Sequence, residues 1–184
     1  MARIRYIKDF DIVNGFWGTA VSVWFQGCEK HCNKCFNPET WNPNDKSVKL
    51  KNNKEVAIEI LKKTELYFHK NLSFLGGDPL ESYNLEDLYE IITIVKNEKP
   101  NIKIAIWTGE VFEELIKNSK SLKVLEVTDI LVDGKYIDEL KCDYSISKNF
   151  YDKKRGSSNQ RVIDVKKSLN NNQIILWENN NEVS

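Results

Sequence analysis

No stretch of this 184-residue chain approaches the roughly 18 consecutive apolar residues that a membrane-spanning helix requires. The opening residues, Met1 to Phe10, are mixed polar and hold no apolar segment of signal-peptide length. An excess of either charge is lacking too. The 27 basic side chains meet 27 acidic ones, so no bulk attraction to nucleic acid or an anionic membrane is expected. Internal repeats are absent, and low complexity is confined to Asn170-Asn171-Asn172 and the asparagines at 179–181. These absences point to a cytoplasmic protein with no nucleic-acid and no membrane partner. With 41% hydrophobic and 29% charged residues, the composition is that of a folded protein, and the length suits one core rather than two. A single domain over 1–184 is expected, with 178–184 a frayed tail.

Cysteine is scarce as well, but its placement is uneven. Three of the four cysteines, Cys28, Cys32 and Cys35, fall within eight residues at the spacing C-x3-C-x2-C. Without an export signal, such a cluster reads as a metal or redox centre rather than a disulfide framework. Cys142 stands apart and reads as a small buried hydrophobe.

The pattern along the chain alternates between strand and helix signals. Residues 1–19 read as a turn-rich approach, with Asn14-Gly15 a strong turn signal. The run Ala20 to Gln26 is β-branched and aromatic and reads as a buried strand. The cysteine loop then continues to about Asp45, with Pro38 and Pro43 opposing regular structure. Val56, Ile60, Ala57 and Leu61 predict a helix over 53–69, and Leu72 to Leu75 a strand entering Gly76-Gly77-Asp78-Pro79. Leu85, Leu88, Ile92 and Val95 predict a second helix, and Ile102 to Trp107 a third strand. Phe112, Leu115 and Ile116 suggest a third helix before a strand over 127–132. Beyond Tyr136 the pattern weakens to a polar loop, a short strand at 162–165 and an apolar run at 174–177. This order implies parallel βαβ units, whose sites lie at the carboxyl ends of the strands. The cysteine loop and the Gly76-Gly77 turn both fall there.

Thiolates at this spacing select zinc or an iron–sulfur cluster. A structural zinc site and an ordinary cubane both want four protein ligands. Three cysteines on a [4Fe–4S] cluster leave one iron open to a small molecule bearing an amine and a carboxylate. The two glycines permit close backbone approach to such a molecule, and Asp78 can accept from its ammonium group. The competing reading is a structural zinc-binding interaction module with His31 as fourth ligand. His31 immediately precedes Cys32, and adjacent ligands fit a tetrahedron poorly.

With these motifs in place the chain resembles the radical S-adenosylmethionine enzymes. Asp11-Ile12-Val13-Asn14-Gly15, Cys35-Phe36-Asn37, Trp107-Thr108-Gly109, Asp133-Gly134-Lys135-Tyr136 and Arg155-Gly156-Ser157-Ser158-Asn159-Gln160 occur in one order. Within the superfamily that order is similar to the activating proteins of anaerobic ribonucleoside-triphosphate reductases. The resemblance implies an α/β fold built as an incomplete parallel (βα) barrel. It implies a [4Fe–4S] cluster on Cys28, Cys32 and Cys35, and S-adenosylmethionine held by Lys34, Cys35, Phe36, Gly76, Gly77 and Asp78. Catalysis then rests on the cluster and cofactor alone: a 5′-deoxyadenosyl radical removes hydrogen from a glycine of the reductase large subunit. An electron donor such as flavodoxin is implied, while oligomeric state stays open, a homodimer included. Activation of another glycyl radical enzyme, such as pyruvate formate-lyase, also stays open. Many superfamily members carry an aromatic residue before the third cysteine. Lys34 stands there, so adenine packing is expected to use Phe36 or backbone. The Phe16-Trp17-Gly18 segment replaces a common Pro-Gly.

The bland readings complete the picture. His69 near a helix end reads as a solvated or capping group, and the five tryptophans as mostly core. Lys62-Lys63 and Lys166-Lys167 read as solvated faces. Arg155 and Arg161 read equally as partner contacts or as an ordinary surface loop.

Overall fold

Strand β2 (Ala20–Phe25) has five fully buried residues, Ala20, Val21, Ser22, Val23 and Phe25, and runs parallel to β3 (Asn71–Gly76). Strands β4 (Lys103–Trp107) and β5 (Ile130–Asp133) continue the sheet in parallel. In this computed structural model, describing residues 1–143, 145 and 151–178, two antiparallel edges complete it. These are β1 (Ile4–Asp11) beside β2 and β6 (Arg161–Asp164) beside β5. The six strands stand in chain order, giving a mixed sheet with a parallel centre. Part of the tail expected at 178–184, residues 179–184, lies outside the described residues.

The helices are α1 (Asn53–Leu66), α2 (Leu85–Glu98), the short α3 (Phe112–Leu115), α4 (Ser119–Glu126) and α5 (Val165–Asn171). Their starts follow capping chemistry. The side chains of Asn52, Asn118 and Asp164 accept from backbone N–H groups of the first turns of α1, α4 and α5. Period-two alternation then sorts the sheet into two faces. Phe74, Ile104, Ile106 and Leu131 pack with Ile60, Leu88, Ile92 and Leu125 from the helices. Ala105, Ile130, Val132 and Val162 face the other way and form a second cluster with Phe16, ringed by Trp17, Trp107 and Trp177. None of the tryptophans is fully buried.

Four local expectations change. Residues 4–11 form a strand, because an edge strand carrying Arg5, Lys8 and Asp9 conceals its alternation beneath charge. Helix α1 stops at Leu66, where Tyr67 caps it and Phe68 enters the left-handed region (φ 55°). Strand β5 starts only at Ile130, since Thr128 donates to the Val124 carbonyl and Asp129 accepts from the Ile104 N–H. His69 is buried, its ring nitrogens 3.0 Å from Thr19 Oγ1 and 2.7 Å from the Asp9 carbonyl. Cys142 is buried as expected. Among the described residues, no helix is long and apolar enough to cross a membrane.

Candidate functional site

The loop after β2 is tied down at its root. Gln26 is fully buried, and its Nε2 donates to the carbonyls of Glu39 (3.0 Å) and Asn42 (2.8 Å). The N–H groups of Gly27 and Cys28 donate to Thr40 and Trp41, which closes the base of the loop. His31 (φ 46°) and Lys34 (φ 52°) take left-handed backbone, reversing the chain between the cysteines. All three cysteines are half-buried and line one cavity of about 720 Å³. That size falls within the roughly 300–1,000 Å³ of ordinary small-molecule sites.

The Asn37 N–H donates to Cys35 Sγ at 3.4 Å, and the N–H groups of Lys30 and Tyr136 oppose the rise of the Cys28 and Cys32 thiols. Burial pushes the Cys28 thiol up to about 12, with Asp78 and Glu81 adding to the rise against the opposing Lys30 N–H. Burial also raises Cys32. Thiolates at such positions need a cation beside them, and backbone donors aimed at sulfur suit an iron–sulfur cluster. A single tetrahedral zinc holds its sulfurs about 3.8 Å apart. Among the described residues, the sulfurs of Cys28, Cys32 and Cys35 do not all lie within 4.8 Å of one another. His31 packs on Trp41, ring centroids 4.9 Å apart, and joins no such close ligand group. The donor set therefore fits a cluster better than one zinc.

Opposite the cysteines, Gly76 and Gly77 line the same cavity. Gly77 N donates to the Phe25 carbonyl at 2.9 Å, and Asp78 N to that of Gly27 at 2.8 Å. A methyl group on Gly77 would collide with the Gly27 carbonyl, and one on Gly76 would lie 2.7 Å from that of Phe25. The glycines are thus required for the two loops to meet.

Asp78 is buried and outside the cavity lining. Its Oδ2 accepts from Thr108 Oγ1 and Gly109 N, both at 2.9 Å, and its Oδ1 from Leu80 N. Burial raises its carboxyl to about 6 despite those donors. Asp78 therefore joins the β3 loop to the Trp107-Thr108-Gly109 loop. Lys34 is also outside the lining: its side chain is exposed and its ammonium sits 2.6 Å from Asp138. The cavity lysine of this loop is Lys30, bonded to Glu110 at 2.9 Å. Phe36 does line the cavity, packed on Tyr136 at 5.0 Å.

The Asp133–Tyr136 and Arg155–Gln160 segments, in which only Arg155 carried a reading of its own, bond to each other. Gln160 Oε1 accepts from the Gly156 and Ser157 N–H groups, while its Nε2 donates to the Gly134 carbonyl. Asn159 donates to Lys135 O, and Ser157 Oγ accepts from Ile137 N. Arg161 is engaged inside the fold with Asp133 and Glu113, and Arg155 with Asp152 and the Gln160 carbonyl. Gln26, Lys30 and Lys154 escaped the sequence reading. Gln26 follows an apolar run and gives a weak signal; the two lysines are indistinguishable from surface lysines without the fold.

Residues 13–163 match the family described as a 4Fe-4S single cluster domain. The chain is similar to the anaerobic ribonucleoside-triphosphate reductase-activating protein of Escherichia coli K12, 35% identical over 152 residues, covering 83% of this chain and 92% of the relative. The protein of the same name from Enterobacteria phage T4 is 35% identical over 155 residues, 83% and 87% of the two chains. That of Salmonella typhimurium is 34% identical over 160 residues, 87% and 97%.

Proposed function

From its place in the family of anaerobic ribonucleoside-triphosphate reductase-activating proteins, to which this chain belongs, we propose that it activates such a reductase through a cluster-based radical reaction. The chain is an oxidoreductase of the radical-generating kind. The observation that carries the reading is the convergence of Cys28, Cys32, Cys35, Gly76, Gly77 and Phe36 on one cavity.

Cys28, Cys32 and Cys35 would hold a [4Fe–4S] cluster with one iron free of protein ligands. Bound there, a reduced cluster and S-adenosylmethionine would supply the one-electron radical chemistry for removing hydrogen from a glycine of the reductase. The protein's own residues position and shield. The Gly76–Gly77 backbone borders the S-adenosylmethionine site in the cavity the cysteines line, and Phe36 offers a face for the adenine. Asp78 acts by fixing the glycine turn against Gly109, and Lys34 by bracing the loop on Asp138. N–H groups facing the sulfurs stabilise negative charge there and so tune the potential.

The parallel centre of the sheet, with a packed inner face, supports an incomplete, curved barrel over a single 1–184 domain. A cytoplasmic setting, an electron donor such as flavodoxin, and monomer or homodimer complete the proposal.

The test is anaerobic reconstitution followed by assay. Roughly four irons and four sulfides per chain, reductive cleavage of S-adenosylmethionine, and a glycyl radical on the reductase but not on pyruvate formate-lyase are expected. Cys32→Ala abolishes cleavage and Cys142→Ala retains it. Stoichiometric zinc with no iron uptake, or cleavage surviving in Cys32→Ala, overturns the proposal.

A further inference from the structure

The match to the 4Fe-4S single cluster family ends at residue 163, yet the chain continues into an ordered return. Helix α5 is capped by Asn172 in the left-handed region (φ 51°), which turns the backbone around. The Gln173 N–H donates to Ser168 O, and the Ile175 N–H to Ser168 Oγ at 2.9 Å. The segment then runs back beside β6. Asp164 N donates to Ile175 O, Ile163 and Leu176 form an antiparallel bridge, and Trp177 N donates to Val162 O at 2.9 Å.

This return delivers Trp177 to the inner face of the sheet. Its indole meets Phe16 edge-on, with centroids 5.2 Å apart and planes at 84°, and touches Trp17 at 6.3 Å. Phe16 is 6% exposed and packs on Trp107 at 5.5 Å, while the Lys154 ammonium stands 5.6 Å from the centre of its ring. Trp107 Nε1 donates to the Lys154 carbonyl at 2.8 Å. Lys154 Nζ donates to Val13 O (2.7 Å) and Gly15 O (2.6 Å), fixing the segment that carries Phe16. Val13, Trp107 and Lys154 all line the cavity that also holds the cysteines. Phe16 and Trp177 do not line it; they stand behind it.

We infer that Trp177 is a positioning residue for S-adenosylmethionine: through Phe16 it holds the Trp107–Lys154 wall of the cavity in its binding geometry. The inference rests on the reading of that cavity as the S-adenosylmethionine site. Edge-to-face aromatic packing is directional, so removing one ring lets its neighbours rotate rather than merely lose area. Among the described residues, Phe16 meets Trp177 on one side and both Trp107 and Lys154 on the other. Displacing it acts first on the wall; the cysteine loop keeps anchors of its own in Gln26, Thr40 and Trp41, beside those that Asp78 and Lys30 make to the 108–110 segment.

The experiment compares the full chain with Trp177→Ala and Trp177→Phe after anaerobic iron–sulfide reconstitution. S-adenosylmethionine binding is measured by calorimetry without reductant, and KM and kcat for reductive cleavage are measured separately. In Trp177→Ala, Kd and KM rise about tenfold, kcat stays within about twofold, and iron content is unchanged. In Trp177→Phe, which retains a ring, Kd stays within about twofold of the parent. Near-ultraviolet circular dichroism of the metal-free proteins reports the aromatic cluster directly, with bands diminished for Ala and retained for Phe. If Trp177→Ala loses fold or iron uptake, Trp177→Leu replaces it under the same criteria. Unchanged Kd in the Ala or Leu variant, or a loss in Phe as large as in Ala, overturns the inference. A parent protein that loads iron fully but binds no S-adenosylmethionine instead overturns the proposed function, whatever Trp177 does.

Discussion

Gly77 leaves no room for a side chain because the Gly27 carbonyl occupies the place of its Cβ. Both partners are backbone, so no rotamer change relieves the clash. Gly77→Ala is expected to lower stability by about 2 kcal/mol through overpacking, and to reduce iron retention because the same contact spaces the cysteine loop. Urea unfolding of the metal-free protein and iron analysis after desalting check the two halves. Asp78 gives a pH signature. Its folded carboxyl titrates near 6, above the ordinary 3.8, because burial outweighs the donors from Gly109, Leu80 and Thr108. The folded protein therefore binds the proton more tightly than the unfolded chain does. The resulting stabilisation, on the order of 3 kcal/mol, is full only below the ordinary 3.8 and is lost as pH rises through about 6. Unfolding free energies of the metal-free protein from pH 4 to 7 should show this fall, and Asp78→Asn should flatten it.

Arg161 shows why an element can matter beyond its own strand. It extends from β6 to buried Asp133 on β5 and to Glu113 on α3, while Asp133 also accepts from the Phe112 N–H. Arg161→Ala strands a buried carboxylate and is expected to cost on the order of 2–3 kcal/mol by urea unfolding. Arg161→Lys recovers only part of it, lacking the planar fork that meets both carboxylates. These contacts also mark the limit of what the sequence reveals about elements. The central strands and the first two helices are legible because Val23, Phe25, Leu72, Ile104, Leu88 and Val95 keep their periods through uninterrupted apolar positions. β1 is hidden by the charges an edge strand carries, and α5 by its start directly at the end of β6. Helix α4 is only eight residues long and opens on Ser-Lys-Ser, so Val124 and Leu125 show their role only once α2 is beside them. The cysteines and the glycine turn are legible because their chemistry is local. Lys154 is not, since only the fold brings it under Phe16 and beside Trp107.

At the scale of the whole molecule, one cavity gathers residues from the 12–14 segment to the 153–160 segment, so filling it braces most of the chain. On the proposed function, S-adenosylmethionine at about a hundred times its Kd adds roughly 2.7 kcal/mol to the reconstituted protein. Thermal unfolding under argon should show the midpoint rising with S-adenosylmethionine concentration, and Cys32→Ala should show no such rise. The removal of iron by a chelator should abolish the ligand effect while leaving the sheet intact, because Gln26, Asn84 and Asp129 secure the loops and strands with protein partners alone.

The strand order, one to six along the sheet as along the chain, bears on synthesis. Every strand pairs with its immediate predecessor, so a nascent chain can extend the sheet one strand at a time without waiting for a distant partner. The cysteine loop acquires its frame once residues to Gly109 have emerged, since Thr40, Trp41, Gly77 and the Asp78–Gly109 bond are all made by then. Trp177 reaches the ribosome exit late, next to last among the residues described. A chain arrested a dozen residues early would present a framed cysteine loop in front of an aromatic wall without its final support.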